Sequence, residues 1–522
     1  MLYLNKAVLN LQKENPCAWR RKDVTVRRAI SASALWLPAP VVAGIHRRSY
    51  LNGPNAIQEM IKFGTSGWRA IIADEFTYGA VRRVTQAISI WISKRAPGSE
   101  VIVGYDTRFM AEDFAAQGAR IIAANGLRPL LCDRATPTPA IAFAVRSRRA
   151  SGAINFTASH NPPVYCGIKF STSDGAPALP EVTTEIEQNI KNLEGQEISI
   201  PEQYSPIESL SLVTDYLNDL ATKIDLGVIS GSGLRLAYDP LWGTGRGYLD
   251  KILADAGCDV VMLHDYRDVY FGGHSPEPDA EYLHELRDKV RDGGYQLGIS
   301  TDGDSDRFGI MDRDGSFVTP NQTIALLVDY LAESRGWSDA VARSVSTTHL
   351  IDRLAARRGI AVIETPVGFK YIGQLIDEDK IFIGGEESAG LSIRGHFPEK
   401  DGILACLLVA EMVARRNASL GEMLQQVYSK VGRLVTGRIG VKLTPELHQG
   451  LAGKLSADAE KFSGRRVASI NRIDGAKYIL ENGSWILMRP SGTEPLVRIY
   501  AEASDDQELE VLLESGRKYI LG

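Results

Sequence analysis

The chain has 522 residues, of which 44% are hydrophobic and 24% are charged, and its formal net charge is −5. This balance is typical of a globular protein and lacks the basic excess of a dedicated nucleic-acid binder, and no run of about 18 apolar residues predicts a membrane span. The five cysteines are scattered without CxxC spacing, which argues against a disulfide framework and a zinc site and favours a reducing, cytoplasmic location.

Residues 1–59 differ in composition from the rest of the chain. They hold nine Lys and Arg against three acidic residues. Targeting segments are rich in Arg and Ser and poor in acids, so one interpretation is a targeting segment. The other is that translation starts at Met60. With either interpretation, we expect a poorly ordered N-terminal extension that takes no part in catalysis.

From Met60 onward, a unit of strand, polar loop, helix, glycine and strand recurs along the chain. The first copy has strands at 101–106 and 129–132, and the second has strands at 234–239 and 259–263. Residues 344–347 and 360–363 predict the strands of a third, more diverged copy. Alternating strands and helices of this kind are typical of α/β domains.

The predicted fold is therefore α/β, with three tandem similar α/β domains and a smaller α+β C-terminal domain around a central cleft. A length of 522 residues allows several domains, at roughly 100–200 residues each. The predicted boundaries give an extension at 1–59, domain I at 60–200, domain II at 201–312, domain III at 313–432 and a C-terminal domain at 433–522.

A serine and a histidine lie together in the loop 157–163, TASHNPP, directly after an apolar strand-like run. Two prolines stiffen this loop, because proline fixes φ and cannot continue the interior of a sheet. The loop is either a rigid platform that presents the Ser159 hydroxyl or a capped turn, since Ser, Asn and Pro are common in turns. Residues 63–69 form a second loop, rich in glycine and hydroxyls, that ends at Arg69.

Three carboxylates alternate in the loop 301–307, TDGDSDR, after another apolar strand. Carboxylates this close favour a hard divalent cation such as Mg²⁺, and the alternative is a solvated acidic loop. A calcium EF-hand is rejected because its sixth and twelfth positions, which need Gly and Glu, are Arg307 and Arg313. Arg307 can hold a phosphate or pin a carboxylate.

Two further loops carry groups suited to a sugar phosphate. The loop 384–390, GGEESAG, offers carboxylates beside small residues, which suits a polyol, although a polar turn between strand and helix explains it equally well. The loop 489–495, RPSGTEP, offers an Arg, two hydroxyls and a glycine backbone, which are donors for a phosphate dianion. Its alternative is a plain hairpin turn.

In this order, the four motifs TASHNPP, TDGDSDR, GGEESAG and RPSGTEP resemble those of the α-D-phosphohexomutase family over almost all of residues 60–522. The resemblance implies that Ser159 is a phosphoserine that donates and regains the phosphoryl group. It implies that Asp302, Asp304 and Asp306 hold Mg²⁺ together with the serine phosphate. The other implied site residues are Arg69, His160 and Lys169 for catalysis, and Arg307, Glu386, Ser388, Arg489, Ser491, Gly492 and Thr493 for substrate binding.

One departure from the family pattern bears on specificity. Many bacterial phosphomannomutase-like and glucosamine-type members end the sugar loop in Gly-His, whereas this chain has Ala389-Gly390. Together with the segment 399–402, EKDG, this form is more similar to the glucose-directed members. The resemblance therefore implies Lys400 as the acid/base group and makes glucosamine phosphate a less favoured substrate.

The expected activity is that of a Mg²⁺-dependent phosphoglucomutase, which interconverts glucose 1-phosphate and glucose 6-phosphate through glucose 1,6-bisphosphate. Phosphomannomutase or dual activity is the alternative within the family, because C2 stereochemistry is a small difference for such a site. A catalytically silent sugar-phosphate-binding regulator is the alternative of another class. The expected partners are hexose phosphates, with no nucleic acid and no membrane, and the expected assembly is a monomer or dimer.

Overall fold

The computed structural model describes residues 61–64, 67–491 and 495–522. The predicted N-terminal extension lies outside these residues, as do Gly492 and Thr493. Within them, four β-sheets alternate with helices along the chain, which confirms the predicted α/β fold class. No helix in the described ranges is long and apolar enough to cross a membrane.

The first sheet has six strands in the order β1-β5-β4-β2-β3-β6. Strands β2, β3, β4 and β6 run parallel, and β5 pairs antiparallel with both β4 and β1. The elements are β1 Trp68–Ile71, α1 Tyr78–Ser93, β2 Glu100–Tyr105, α2 Ala111–Ala124, β3 Arg128–Cys132, α3 Thr138–Arg148, β4 Ala153–Phe156, β5 Tyr165–Ser171, α4 Pro180–Asn192 and β6 Glu208–Leu210.

The second sheet has the order β11-β10-β9-β7-β8, in which β10 runs against β9 and the pairs β9/β7 and β7/β8 are parallel. A short 3₁₀ turn at Phe271–Gly273 lies in the connection after β8. The elements are α5 Val213–Ala221, α6 Leu226–Ser232, β7 Arg235–Asp239, α7 Leu249–Asp255, β8 Asp259–Met262, α8 His284–Gly293, β9 Leu297–Thr301, β10 Phe308–Asp312 and β11 Phe317–Val318.

The third sheet has the order β13-β12-β14-β15, with two parallel pairs and one antiparallel pair. Its elements are α9 Pro320–Ser334, β12 Ala340–Ser344, α10 Leu350–Arg358, β13 Val362–Thr365, α11 Phe369–Asp377, β14 Ile381–Glu386, β15 Gly390–Ile393, α12 Gly402–Arg416 and α13 Leu420–Val431.

The same four-strand quartet thus occurs three times, as β5-β4-β2-β3, β10-β9-β7-β8 and β15-β14-β12-β13. In each quartet, the third strand along the chain runs parallel to the first and antiparallel to the fourth. Loops 157–163, 301–307 and 384–390 all fall at the connection between the third and fourth strands. Three of the four motif loops therefore occupy one topological position in three copies of one scaffold.

The fourth sheet is antiparallel throughout, in the order β16-β21-β20-β19-β18-β17. The motif loop 489–495 spans the end of β20 and the turn into β21. The elements are β16 Val435–Lys442, α14 Pro445–Ser456, β17 Lys461–Phe462, β18 Arg465–Asn471, β19 Ala476–Leu480, β20 Trp485–Pro490, β21 Leu496–Ala503 and α15 Asp506–Leu521.

Local sequence explains where several helices begin. Thr319 forms a capping box with Gln322, and Pro320 occupies the first position of α9, where its missing N–H costs no hydrogen bond. Asp401 caps α12 by accepting a hydrogen bond from the Leu404 amide. The helix α12 is buried on nearly all faces and packs against both the second and third sheets. Its N-terminus is therefore fixed in position.

Several predictions at the level of secondary structure were wrong. Residues 63–69 were predicted as a loop, but Trp68 and Arg69 belong to β1 and pair with β5. Residues 344–347 were predicted as a strand, but β12 ends at Ser344. The Ser346 hydroxyl instead donates to Glu387 at 2.7 Å, so this stretch is a polar turn. Residues 384–386 were predicted as loop but continue β14, because they pair with β15 in a tight hairpin.

Candidate active site

Ser159 lies at the tip of the loop between β4 and β5, with only 1% of its surface exposed. Its hydroxyl donates to Asp302 Oδ2 at 2.7 Å, and its amide donates to the Thr157 hydroxyl at 2.8 Å. The φ of Ser159 is +52°, a left-handed conformation that costs energy for a residue other than glycine. The serine hydroxyl is thus held against the acidic loop by a strained backbone.

The three acidic side chains of loop 301–307 converge in one buried cluster. Asp302, Asp304 and Asp306 are each fully buried, and one oxygen from each lies within 4.8 Å of the others. Lys169, on β5, places its ammonium 2.6 Å from both Asp304 and Asp306. The alternative of a solvated acidic loop is therefore wrong, because the three carboxylates are buried and contact Lys169 and one another instead of solvent.

Charge affects Asp302 and Asp306 differently. Burial and the two neighbouring carboxylates raise the pKa of Asp302 well above its usual range. Burial alone would also raise the pKa of Asp306, but the ammonium groups of Lys169 and Lys400 outweigh it and hold the pKa below its ordinary value. A cation beside Asp302 would complete the neutralisation that the two lysines begin.

The donor set of this cluster fits a hard divalent cation. Asp304 Oδ1 and Asp306 Oδ1 are buried and have no hydrogen-bond partner among the described residues. Buried polar atoms are seldom left without a partner, and carboxylate oxygens are the ligands that Mg²⁺ prefers. The three aspartates could therefore hold such an ion, with the Ser159 hydroxyl at the edge of the cluster.

Lys400 approaches the same cluster from the N-terminus of α12. Its ammonium lies 2.8 Å from Asp306 Oδ2, and the Gly402 amide donates to the Ser305 carbonyl at 3.1 Å. A Cβ on Gly402 would lie 2.2 Å from the Arg307 carbonyl, so only glycine permits this approach. Burial lowers the pKa of Lys400, but Asp306 and Glu399 outweigh it and raise it. Lys400 is therefore an ammonium at neutral pH, paired with Asp306.

Arg69 and His160 lie beside the serine. His160 Nδ1 is 3.4 Å from the Ser159 hydroxyl, and an Arg69 terminal nitrogen donates to Asn161 Oδ1 at 2.7 Å. Burial, with Arg307 and Arg69 nearby, lowers the pKa of His160 well below its usual range. Burial and the neighbouring Arg307 lower the pKa of Arg69 to about 10. His160 is thus a neutral imidazole, whereas Arg69 stays charged at neutral pH.

Glu386 and Ser388 lie in the hairpin between β14 and β15. The Gly368 amide donates to Glu386 Oε1 at 2.7 Å, and burial together with the neighbouring Glu387 raises the pKa of Glu386 to about 7. Ser388 is half-buried and lines a cavity of about 260 Å³. Residues of the second, third and fourth sheet regions line this cavity, including Arg307, Ser346, Arg438 and Tyr500.

Arg307 connects the acidic loop to this cavity. Its amide donates to Asp302 Oδ1 at 3.0 Å, and its guanidinium lies 3.4 Å from Glu277 Oε1. Arg438 of β16 also reaches Glu277, at 4.0 Å. One carboxylate thus links the acidic loop with the C-terminal sheet across the cavity.

The described part of the motif loop 489–495 is held by hydrogen bonds within the fourth sheet region. Arg489, near the end of β20, donates from Nε to Asp474 Oδ2 at 2.7 Å. The Ser491 amide donates to the Leu496 carbonyl at 2.9 Å, beyond the last pair of the β20/β21 ladder. Gly492 and Thr493, the other two residues assigned to this loop, lie outside the described residues.

One polar contact of the acidic cluster was missed at the level of sequence. Thr138, the first residue of α3, donates from its hydroxyl to Asp304 Oδ2 at 2.5 Å. Its amide donates to the Asp304 carbonyl at 2.9 Å. The signal was weak, because a threonine between two prolines is equally common at the start of any helix.

The comparisons with known proteins agree with this geometry. Four family models described as phosphoglucomutase/phosphomannomutase match the chain: α/β/α domain I at residues 60–197, domain II at 214–315, domain III at 319–431 and the C-terminal domain at 445–515. Together they span most of the residues that follow the N-terminal segment.

This chain aligns with almost the whole length of several similar proteins. A phosphoglucomutase/phosphomannomutase of Thermococcus kodakarensis is 29% identical over 469 residues, or 88% of this chain and 98% of its own. A Methanothermobacter thermautotrophicus protein, provisionally assigned as a phosphoglucosamine mutase, is 31% identical over 88% of this chain and 97% of its own. A Thermus thermophilus protein, provisionally assigned as a phosphomannomutase, is 33% identical in sequence to this chain. Its crystal structure matches with a TM-score of 0.79 over 89% of this chain and 99% of its own.

Proposed function

Because this chain belongs to the phosphoglucomutase/phosphomannomutase family and is a phosphohexomutase, we propose that it interconverts glucose 1-phosphate and glucose 6-phosphate. The phosphoryl group moves reversibly between Ser159 and the sugar, with glucose 1,6-bisphosphate as the intermediate. The observation that carries the proposal is the hydrogen bond of 2.7 Å from the Ser159 hydroxyl to the buried acidic cluster. A hydroxyl held there is placed for phosphoryl transfer, which depends on positioning and charge neutralisation.

Asp302, Asp304 and Asp306 would hold Mg²⁺ in this function, with the phosphate on Ser159 as a further ligand. When bound, the ion supplies positive charge to the phosphoryl oxygens during transfer. Lys169 bridges two of the aspartates and keeps them ionised. Lys400 is the proposed acid/base group, which gives a proton to the oxygen that leaves the phosphorus and regains one from the hydroxyl that attacks it. Arg69 orients the loop through Asn161, beside the neutral His160.

The sugar and its second phosphate would be held at a distance from Ser159. Glu386 and Ser388 read the sugar hydroxyls, and Arg307 reaches the sugar phosphate from the acidic loop. Arg489, Ser491, Gly492 and Thr493 hold the phosphate that does not react. Because both phosphates of the bisphosphate must visit Ser159 in turn, the sugar rotates in the cleft between two transfers, and the distant clamp accepts either phosphate.

The four motif loops divide among the proposed domains. Domain I at 60–200 carries the phosphoserine loop, domain II at 201–312 the metal loop, and domain III at 313–432 the sugar loop. The C-terminal domain at 433–522 carries the phosphate loop. We propose that residues 1–59 take no part in catalysis and that the protein is cytoplasmic, as a monomer or dimer.

Phosphomannomutase activity, alone or together with the glucose reaction, is the second candidate. The double name of the Thermococcus relative favours it. The name of the Methanothermobacter relative favours glucosamine phosphate, against which stands the Ala389-Gly390 end of the sugar loop. A silent sugar-phosphate-binding regulator would have no need for a serine, three aspartates and two lysines in one buried cluster.

Steady-state rates with glucose 1-phosphate, mannose 1-phosphate and glucosamine 1-phosphate, each with Mg²⁺ and a trace of the matching bisphosphate, test the proposal. We expect the highest kcat/KM with glucose 1-phosphate. A higher value with either of the other two sugars would overturn the glucose assignment. No turnover with any of the three, together with measurable binding, would favour the silent regulator.

A further inference from the structure

A completely buried arginine lies beneath the phosphoserine loop. Arg108 follows β2 in the sequence, and none of its side-chain surface is exposed. We propose that Arg108 is a positioning residue, which fixes the reacting oxygen of Ser159 by holding the backbone of loop 157–163. This inference rests on the proposed function, because it concerns the phosphoryl transfer at Ser159.

All five N–H donors of the Arg108 guanidinium have an acceptor. Nε donates to Asp106 Oδ2 at 3.1 Å, and the two terminal nitrogens donate to four backbone carbonyls of the loop region. These carbonyls belong to Ser159 at 2.6 Å, Asn161 at 2.6 Å, Pro162 at 2.9 Å and Tyr165 at 2.9 Å. One rigid, planar group therefore holds both the serine and the turn that follows it.

Arg108 and Asp106 together hold both sides of Ser159. The guanidinium donates to the Ser159 carbonyl, while Asp106 Oδ2 accepts from the Thr157 hydroxyl at 2.6 Å. That hydroxyl in turn accepts from the Ser159 amide at 2.8 Å. The left-handed φ of Ser159 is kept because its N–H and its C=O are both tied to one buried ion pair.

Contacts from the second sheet region hold Arg108 in turn. The Phe271 ring centroid lies 5.0 Å from the guanidinium carbon, and Arg267 donates to the Arg108 carbonyl at 3.1 Å. Arg267 also pairs with Glu112 at 2.7 Å. The arginine is therefore fixed from both sides of the boundary between the first and second sheets.

A lysine at position 108 cannot make the same set of hydrogen bonds. Its three donors radiate from one nitrogen, whereas the four carbonyls and the Asp106 carboxylate surround a flat fork. Without the fork, the loop loses its carbonyl ties and the Ser159 hydroxyl shifts from the acidic cluster. A displacement of about 1 Å at a reacting atom costs roughly 100-fold in rate, while the distant sugar and phosphate contacts stay intact.

The test is single-turnover transfer of phosphate from glucose 1,6-bisphosphate to unphosphorylated Ser159, followed by the mass of the Ser159 peptide, together with steady-state kcat and KM. We expect Arg108→Lys to slow the transfer at least about 100-fold, with KM for glucose 1-phosphate changed by less than about threefold. Arg335→Lys is the matched control, because Arg335 pairs with the buried Glu411 at 2.7 Å away from the motif loops. It is expected to lower the melting temperature but not the transfer rate.

If Arg108→Lys does not fold, Thr157→Val tests the same arrangement, since it removes only the link between Asp106 and the Ser159 amide. We expect about tenfold slower transfer in that variant at unchanged KM. Transfer at the wild-type rate in whichever variant folds would overturn the inference, as would a rise in KM in step with the fall in kcat. Wild-type protein that accepts no phosphate at Ser159 would instead overturn the proposed function, and the inference with it.

Discussion

Ser159 and Asp302 are 143 positions apart in the chain, and a hydrogen bond of 2.7 Å joins their side chains. The contact brings the connection after β4 against the connection after β9. It places the Ser159 hydroxyl against the cluster where three carboxylates converge.

Ser159→Ala should reduce mutase turnover to background, because it removes the oxygen that would carry the phosphoryl group. The melting temperature should stay close to that of the wild type, since the backbone ties of the loop do not involve the hydroxyl. Intact-mass measurement should find phosphate on the Ser159 peptide of active wild-type protein. Ser209→Ala, on the edge strand β6, is the matched control. Near-normal turnover of the Ser159 variant would contradict the assignment.

The aspartates of the cluster should differ when Mg²⁺ is removed. In EDTA, Asp302→Asn should be at least as stable as the wild type, because Asp302 has no ion-pair partner among the described residues and sits beside two like charges. Asp304→Asn should be less stable, since it removes a carboxylate from Lys169.

Added Mg²⁺ should raise the melting temperature of the wild type more than that of either variant, because a ligand that binds only the folded state stabilises it. Thermal unfolding in EDTA and in Mg²⁺, at matched ionic strength, measures both effects. Equal Mg²⁺-induced shifts in all three proteins would exclude a metal site at these residues.

Glu386→Gln should change the pH dependence of stability. The pKa of Glu386 is raised from about 4.5 to about 7 by burial and by Glu387, so the folded protein holds this proton more tightly than the unfolded chain does. The wild type therefore loses stability as the pH rises from about 4.5 to 7, by up to about 3 kcal/mol. The glutamine variant lacks this loss.

Urea unfolding at pH 5 and pH 8 measures the difference. We expect the stability of Glu386→Gln relative to wild type to be higher at pH 8 than at pH 5. Glu194→Gln, at an exposed position, should show the same relative stability at both values. A relative stability of Glu386→Gln that does not change with pH would show that Glu386 titrates normally.

Thr138→Val should lower the stability of the protein and raise its Mg²⁺ requirement, because it removes a hydrogen bond to Asp304. The hydroxyl of Thr138 donates to Asp304 Oδ2 and accepts from Asn155 at 2.8 Å, so its loss leaves the buried Asn155 amide without a partner and removes one of the two donors to Asp304 Oδ2, the other being Lys169. We expect a loss of about 1–3 kcal/mol in stability and a Mg²⁺ requirement raised about 10- to 100-fold. Chemical unfolding and Mg²⁺ titration of activity measure the two.

Thr85→Val is the matched control for this prediction. The Thr85 hydroxyl is buried but has no hydrogen-bond partner among the described residues. Its replacement should therefore be neutral or stabilising, with an unchanged Mg²⁺ requirement. If both variants lose the same stability, the loss comes from the change of side-chain shape and not from the contact with Asp304.

The fold class and the family could be predicted from the sequence because they depend on patterns within short stretches. Short apolar runs that end in Tyr-Asp, at Tyr105-Asp106 and Tyr238-Asp239, predict β2 and β7 from a few neighbouring residues. Motif loops of seven residues are specific in combination. Both signals are local, and neither depends on which surfaces meet in the folded chain.

The parts that could not be predicted depend on contacts between distant segments. Three acids within five residues suggest mutual repulsion, but the fold brings Lys169 and Lys400 against Asp306 from two other elements. The strand predicted at 344–347 failed because hydroxyls in that stretch bond to Glu387, about 40 residues away. Arg108 looked like an ordinary loop residue, since its four carbonyl partners lie more than 50 residues downstream.

The placement of three motif loops at one connection of a thrice-occurring quartet has a consequence for how such a molecule can change. The strand pairing of each quartet leaves out the residues between its third and fourth strands, so these residues can be exchanged while the sheet persists. After copying, one scaffold could specialise three times at the same place, for a nucleophile, for a cation and for a sugar. Under the proposed function, substrate preference would be open to redesign in the β14–β15 connection, where a graft of residues 387–389 is a smaller intervention than any change to the four sheets.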